Sequence, residues 1–313
     1  MRQTLDEATR GVAPVAAAPD RAPPMVSVIV PHYNDLPGLD RCLQALERQT
    51  YPRDRFEIIV ADNNSPGGVE AVKGVVDGRA VLIVVTEKGA GPARNGALTL
   101  ARHEILAFTD SDCVPTPDWL ARGVAGLDGF DLVGGDVVIF PGDPDRVNAV
   151  EAFEMVFAFD NEDFVNSRGF SVTANLFTRR SVFAEVGDFS RMKISEDVDW
   201  CYRATAGGFR LAYVPGAVVG HPARPTWADV CKKTRRMEVE MFFLKVNSTW
   251  SRIRWMLRLL AYPLSAVAHT PRVMRSPRLG PWRQKLGALF ILYRIRWFRA
   301  KVGFSLLFSR PKS

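Results

Sequence analysis

The sequence predicts an α/β fold, a mostly parallel central sheet flanked by helices, followed by a basic helical C-terminal extension. Three observations carry this. Four short apolar runs, at residues 26–30, 56–61, 80–85 and Ile105–Phe108, alternate with stretches of helical periodicity. Each run ends in a polar cluster. The last 73 residues, 241–313, hold 15 of the chain's 41 Lys and Arg and none of its 34 Asp and Glu.

Composition bounds the possibilities. With 313 residues, 47% of them hydrophobic and 10% aromatic, the chain can bury a large core. Four cysteines, at 42, 113, 201 and 231, form no C-x-x-C pair, so neither a zinc knuckle nor a disulfide framework is expected, and a reduced setting fits. The formal charge of +7 conceals an asymmetry: residues 1–240 carry −8 and the tail +15. Such a tail calls for an anionic partner. The negative balance of the first 240 residues argues against nucleic acid. No stretch has the roughly 18 to 20 uncharged apolar residues of a spanning helix, and Asp6 and Glu7 stand where an export signal would be basic or apolar.

In chain order, the Ala- and Pro-rich residues 1–24 read as a disordered leader. The continuous apolar run 26–30 suits a strand buried on both faces, ending at Pro31 and His32-Tyr33-Asn34-Asp35. Leu39, Leu43 and Leu46 fall at helical spacing before the second strand, which ends at Asp62-Asn63-Asn64-Ser65. The third strand leads to Gly89-Ala90-Gly91-Pro92-Ala93-Arg94-Asn95-Gly96 and a helix. The fourth ends at Thr109-Asp110-Ser111-Asp112-Cys113. Right-handed βαβ connections bring all four polar clusters to one sheet edge, where open α/β sheets bind ligands. Two carboxylates one residue apart at such an edge suit a hard cation holding a diphosphate.

Further along, residues 132–140 read as a longer strand, 147–164 as one acidic amphipathic helix, and 171–177 as an extended segment ahead of a helix near Thr178. Ser195 followed by Glu196, Asp197 and Asp199 marks a helix N-terminus, and Gly207-Gly208 a stop. Residues 211–214 read as one short strand, ended by Pro215, and 218–221 as another, ending in His221. Past Trp227 the pattern is helical and basic. The expected division is a leader at 1–24, a catalytic domain at 25–240 and a basic, aromatic-rich, membrane-associating tail at 241–313.

Six motifs taken together resemble a family 2 glycosyltransferase of the GT-A fold. They are Val-Ser-Val-Ile-Val-Pro-His-Tyr-Asn-Asp (26–35), Val-Ala-Asp-Asn-Asn-Ser (60–65), Gly-Pro-Ala-Arg-Asn-Gly-Ala (91–97), Phe-Thr-Asp-Ser-Asp (108–112), Ser-Glu-Asp-Val-Asp-Trp-Cys-Tyr-Arg (195–203) and Val-Pro-Gly-Ala-Val-Val-Gly-His (214–221). The resemblance implies that Pro31, Tyr33 and Asp35 meet the nucleotide of a nucleotide-sugar donor, with Tyr33 against the base. Relatives often carry Glu at the place of Asp35, so contact there is expected to be shorter or water-mediated. It further implies that Asp62 bonds the base or ribose and that Arg94 lies over the nucleoside and diphosphate. Asp110 would contact the ribose, directly or through water, Asp112 the metal, and His221 would complete the metal site, favouring Mn²⁺ over Mg²⁺. Ser111, between the two carboxylates, costs one negative charge and no ligand.

Asp197 is the implied general base of an inverting displacement, with Glu196 its neighbour or an acceptor contact. The charge of Glu196 and the helix N-terminus push the Asp197 carboxyl in opposite directions, so no net shift is expected. No Gln-x-x-Arg-Trp motif follows the acidic pair; Lys232-Lys233-Thr234-Arg235-Arg236 stands there instead and reads as the start of the basic tail. One sugar per encounter is therefore implied, from a UDP-linked donor to a lipid-linked or saccharide acceptor in polysaccharide or glycolipid synthesis. The enzyme would be cytoplasmic, peripherally held on the inner face of the cell membrane by its tail. Two other readings compete: a nucleotidyltransferase, which would need a glycine-rich loop where His32-Tyr33-Asn34 stands, and a non-catalytic basic membrane-binding protein, which leaves the carboxylates unexplained.

Overall fold

Three of the four apolar runs become fully buried strands, and the run at 80–85 a partly exposed one, in the computed structural model, which describes residues 22–190 and 195–308. The leader expected at 1–24 lies, up to residue 21, outside the described residues. Strands β1 (Val26–His32) and β2 (Phe56–Asp62) are buried along their whole length and pair in parallel, Val26 opposite Phe56 and His32 opposite Asp62. β3 (Val81–Val84) extends the parallel set beyond β2, and β4 (Ile105–Phe108) lies parallel on the other side of β1. Helices α1 (Leu36–Glu47), α2 (Val69–Val76) and α3 (Ala90–Leu100) connect them.

The rest of the sheet is added differently. β5 (Val114–Pro115) follows the acidic triplet, and α4 (Trp119–Gly126) and β6 (Leu132–Phe140) come next. β7 (Leu176–Arg179) runs antiparallel to both β4 and β6, and β8 (Leu211–Pro222) antiparallel to β5. The strand order is β3-β2-β1-β4-β7-β6-β8-β5, so a parallel half meets an antiparallel one beside β4. Asn175 knots that second half together. Its amide donates to the Asp136 and Ala217 carbonyls, both at 2.8 Å, and its oxygen accepts from the Trp119 indole at 2.9 Å.

Three local expectations change. The helix expected over 147–164 is two helices, α5 (Ala149–Phe157) and α6 (Asn161–Arg168), because Asp160 takes an N-cap position and restarts the chain. Strand β8 runs through Pro215 rather than stopping there; the proline is exposed, where its missing N–H is harmless, and the strand becomes buried just beyond it. Helix α7 (Arg180–Val186) starts two residues later than expected, and α8 (Glu196–Ala206) stops at Gly207 as expected.

The chain forms two compact units. One comprises the described residues up to Val138 together with Asp160–His221; the other comprises Ile139–Phe159 and residues 222–308. The expected boundary at 240 falls inside α9 (Trp227–Lys245), in the second unit. The physical reason is a shared core. Phe153 and Val156 of α5 cluster with Ala266 and Val273 of α10 (Thr249–Met274) and with Ile291 and Ile295 of α11 (Trp282–Phe308). Buried Glu238 of α9 accepts from the Tyr262 hydroxyl at 2.8 Å and from Arg299 Nε at 2.6 Å. A buried carboxylate needs such partners, so α9 cannot be separated from the helices that follow it.

Candidate active site

Each parallel strand of the first unit ends in a turn whose geometry its own residues dictate. After β1, Asn34 adopts a left-handed conformation (φ 52°), which asparagine tolerates, and leaves Tyr33 58% exposed. Asp35 caps α1, accepting from Gly38 N at 3.0 Å. A side chain at 38 would collide with that carboxylate, so the cap requires glycine there. Pro31 and buried His32 close the strand. Both His32 ring nitrogens lack hydrogen-bond partners in the described structure, and burial holds the imidazole below its ordinary pKa, hence neutral.

Asp62, 1% exposed, ends β2 with its carboxylate turned onto its own loop: it accepts from the Ser65 hydroxyl, and from Ser65 N at 3.1 Å. Ser65 in turn accepts from Asn34 N at 2.8 Å, linking the first two strand ends. Asn63 ties in the third. Its amide donates to the Val85 and Glu87 carbonyls at 3.0 and 2.6 Å, and its oxygen accepts from Gly89 N at 2.9 Å. Sequence reasoning gave Asn63 no role beyond its motif; consecutive asparagines after a strand-ending Asp were the available signal.

Arg94, in the first turns of α3, is 3% exposed and bridges two carboxylates from distant parts of the chain. Nη2 donates to Asp110 Oδ1 at 2.6 Å and Nη1 to Glu196 Oε1 at 2.7 Å. The guanidinium expected over a diphosphate thus also organises the acidic residues around it. Two more features of α3 bring Glu196 there. Asn95 exchanges hydrogen bonds with the Phe189 backbone at 2.9 and 3.0 Å, and a Cβ on Gly91 would sit 2.9 Å from the Ser190 carbonyl and 3.4 Å from Glu196 Cβ. Behind them α8 is anchored by Trp200, stacked on Phe183 at 4.3 Å and donating to the Gly187 carbonyl at 2.9 Å.

Asp197 follows Glu196 at the start of α8. Burial pushes its carboxyl up to about 6, with the Glu196 charge adding and Arg94 opposing. The expectation of no net shift is thereby corrected: desolvation outweighs the stabilising groups. Asp199 pairs with Arg203 at 3.0 Å, one turn on, as a structural residue would.

The acidic triplet meets His221 through strand register. Val114 of β5 opposes Gly220 of β8, so one step back sets Cys113 opposite His221. His221 Nε2 lies 3.6 Å from Asp112 Oδ2. Ligand atoms of Asp110, Asp112 and Cys113 all fall within 4.8 Å of one another. Burial drives the Cys113 thiol well above its ordinary value, so it stays protonated and is no ligand for a hard cation. Two carboxylates and an imidazole remain, a donor set that fits Mn²⁺ and, less well, Mg²⁺.

The structure thus brings Asp110, Ser111, Asp112, His221, Arg94, Glu196 and Asp197 together through named contacts or adjacency. Pro31, Tyr33, Asp35 and Asp62 sit on the neighbouring strand ends. Arg94 Nε and Thr109 Oγ1, both buried here, have no partner among the described residues, as at sites that receive a ligand. Lys233 belongs to the second unit, where it is partly buried 4.0 Å from Glu154.

The glycosyl transferase family 2 model matches residues 27–192. The chain is 36% identical over 221 residues to Glycosyltransferase AglE of Haloferax volcanii, a match covering 68% of this chain and 72% of that one. It is 28% identical over 213 residues to the Pre-mycofactocin glycosyltransferase of Mycobacterium tuberculosis, covering 65% of this chain and 44% of that one. Among solved structures, the mannosyltransferase PcManGT from Pyrobaculum calidifontis, in complex with GDP-Man and Mn²⁺, aligns over 96% of this chain and 90% of its own, with TM-score 0.59 and 22% identity. S. aureus TarS 1–349, in complex with UDP-GlcNAc, aligns over 90% and 91%, with TM-score 0.52 and 20% identity. At those identities the likeness is one of fold. The family match covers more than half of the chain and the first relative exceeds 30% identity over two thirds of it: this chain belongs to glycosyl transferase family 2.

Proposed function

We propose that this enzyme moves a sugar from a nucleoside-diphosphate sugar to a hydroxyl acceptor by inverting displacement, one sugar per encounter, in polysaccharide or glycolipid synthesis. The observation that carries this is the proximity of two chemistries at one sheet edge. Asp110 and Asp112 bring carboxylates close enough together to hold a cation, and Arg94 links Asp110 to the Glu196-Asp197 turn, where burial raises the Asp197 carboxyl to about 6. A base with a pKa near working pH combines a large deprotonated fraction with adequate basicity.

In this reading Asp197 takes the acceptor hydroxyl proton while the acceptor oxygen bonds to the anomeric carbon. The bond from that carbon to the diphosphate oxygen breaks on the opposite face, and the nucleoside diphosphate leaves with the electron pair. Asp110, Asp112 and His221 would hold a divalent cation, which supplies Lewis-acid neutralisation of the leaving diphosphate. Arg94 holds Glu196 and Asp110 and balances the charge of the acidic cluster. Exposed Tyr33 would meet the nucleoside, with Asp62 beside it on the neighbouring strand end holding the Ser65 loop. The donors named for PcManGT and TarS, GDP-Man and UDP-GlcNAc, support a nucleotide-sugar donor of either base, with UDP sugars tested first.

The test is a panel of UDP- and GDP-linked sugars with Mn²⁺, scored for release of nucleoside diphosphate without acceptor. Slow hydrolysis of one donor, lost in Asp112→Asn, is expected. Release from none of them, with no donor binding by calorimetry, would overturn the proposal.

A further inference from the structure

Helices α10 and α11 pack as antiparallel neighbours in the second unit. Leu259 fills the space beside Gly303, Arg299 lies over the Tyr262 ring at 4.8 Å, and Thr270 Oγ1 is 3.2 Å from the Tyr293 hydroxyl. Ala266 of α10 joins Ala288, Ile291 and Ile295 of α11 in the core described above, and Trp255, Leu259 and Tyr262 of α10 form a second cluster with Ala300 of α11.

Their outward sides are apolar as well. On α10, Trp250, Ile253, Leu257, Leu260, Leu264 and Val267 are exposed at alternating three- and four-residue spacing, so they make one stripe along the helix. On α11, Trp282, Leu286, Phe290, Tyr293 and Trp297, three or four residues apart, make a second exposed stripe. At about 100° per residue, with the contacts above fixing which sides face each other, both stripes fall on one side of the hairpin, turned away from α9 and α5. Leu264 is 72% and Trp297 65% exposed. Folded monomers rarely leave a contiguous patch of this kind to water.

The border of the patch selects its partner. Exposed Arg254 and Arg275 stand beside the first stripe, and Arg283, Arg294 and Lys301 run along one flank of the second. No Asp or Glu occurs anywhere in 241–313. The same face on a second copy would oppose cations to cations, whereas phospholipid head groups match the rim and acyl chains match the stripe. No helix among the described residues is long and apolar enough to cross a membrane, so these helices would lie on it. We propose that the outward face of the α10–α11 hairpin docks on an anionic phospholipid surface.

The docking reading is independent of the transferase reading, since vesicle binding needs neither donor nor turnover. The test sediments the full chain with vesicles of phosphatidylcholine alone and of phosphatidylcholine with phosphatidylglycerol. Partition should be at least about tenfold higher on the anionic vesicles, as the charge rim requires, and should fall with added salt. The triple variant Leu260→Ser, Leu264→Ser, Phe290→Ser alters exposed side chains alone, so it should keep the wild-type melting temperature while losing most of the binding. Equal binding at both lipid charges, no binding, or anionic binding untouched by the triple variant would overturn the proposal. So would a lipid-free dimer that the triple variant dissociates, because the face would then belong to a second copy.

Discussion

Arg94 Nη1 meets Glu196 Oε1 at 2.7 Å across 102 residues of sequence, and its other terminal nitrogen holds Asp110 at 2.6 Å. One buried cation therefore joins the strand end that carries the acidic triplet to the helix that carries Asp197. A planar fork can hold two carboxylates in fixed directions, which a single ammonium cannot do.

Replacing Arg94 tests this link. Arg94→Ala leaves two partly buried carboxylates facing each other without a cation. Since both keep a quarter to a third of their exposure, the lower end of the usual cost applies, about 3 kcal/mol. Differential scanning fluorimetry should show the lower melting temperature, and turnover should vanish. Arg94→Lys should recover stability more than turnover; equal recovery of both would show that charge alone matters.

Gly91→Ala should act through the approach of α3 to Glu196. The added Cβ would stand 2.9 Å from a backbone oxygen that cannot swing aside, so about 1–3 kcal/mol of stability should be lost. Because the strain falls on the segment leading into α8, kcat should drop more than donor affinity. A variant that melts earlier yet turns over normally would separate this glycine from the chemistry.

Metal removal has an expected outcome for each ligand. EDTA in excess should abolish transfer and Mn²⁺ should restore it, while Asp112→Asn and His221→Ala should raise the Mn²⁺ concentration needed for half activity. Asp110→Asn should weaken donor binding. Full activity in EDTA would contradict the assignment of all three residues.

The raised Asp197 carboxyl makes a statement about pH and stability together. With a folded pKa of about 6, above the ordinary value near 3.8, its contribution to stability is present below the unfolded pKa and lost as pH rises through about 6. Asp197→Asn mimics the protonated form, so it should melt higher than wild type at pH 8 and lose that advantage toward pH 4. Wild-type kcat/KM should fall on the acid side with a limb near pH 6. A limb near pH 4 would mean that a solvated carboxylate is the base.

Much of this architecture is legible in the residues. The strand at Ile105–Phe108 begins and ends where its apolar run does, because burial on both faces leaves no polar positions to blur the edges, and Leu132–Phe140 keeps the expected bounds with Asp136 as its one charged residue. Strand-end clusters at 31–35, 62–65 and 110–112 mark the site for the same reason. What sequence reasoning missed depends on partners far along the chain. The Arg94 bridge spans 16 and 102 residues, and the Asn95 clasp on Phe189 spans 94. The shift of Asp197 follows from desolvation by surrounding structure, which no local pattern records. Residues 139–159 join the C-terminal helices through a core formed across more than a hundred residues, so composition alone drew the boundary at 240.

The most direct measurement is on Asp197→Asn: donor affinity by titration calorimetry, in Mn²⁺, beside turnover of the same preparation. If Asp197 removes the acceptor proton and the nucleotide is held by other residues, affinity stays near wild type while turnover falls by about 10²- to 10⁴-fold. Turnover within a few-fold of wild type, or donor affinity lost in proportion to rate, would contradict the account.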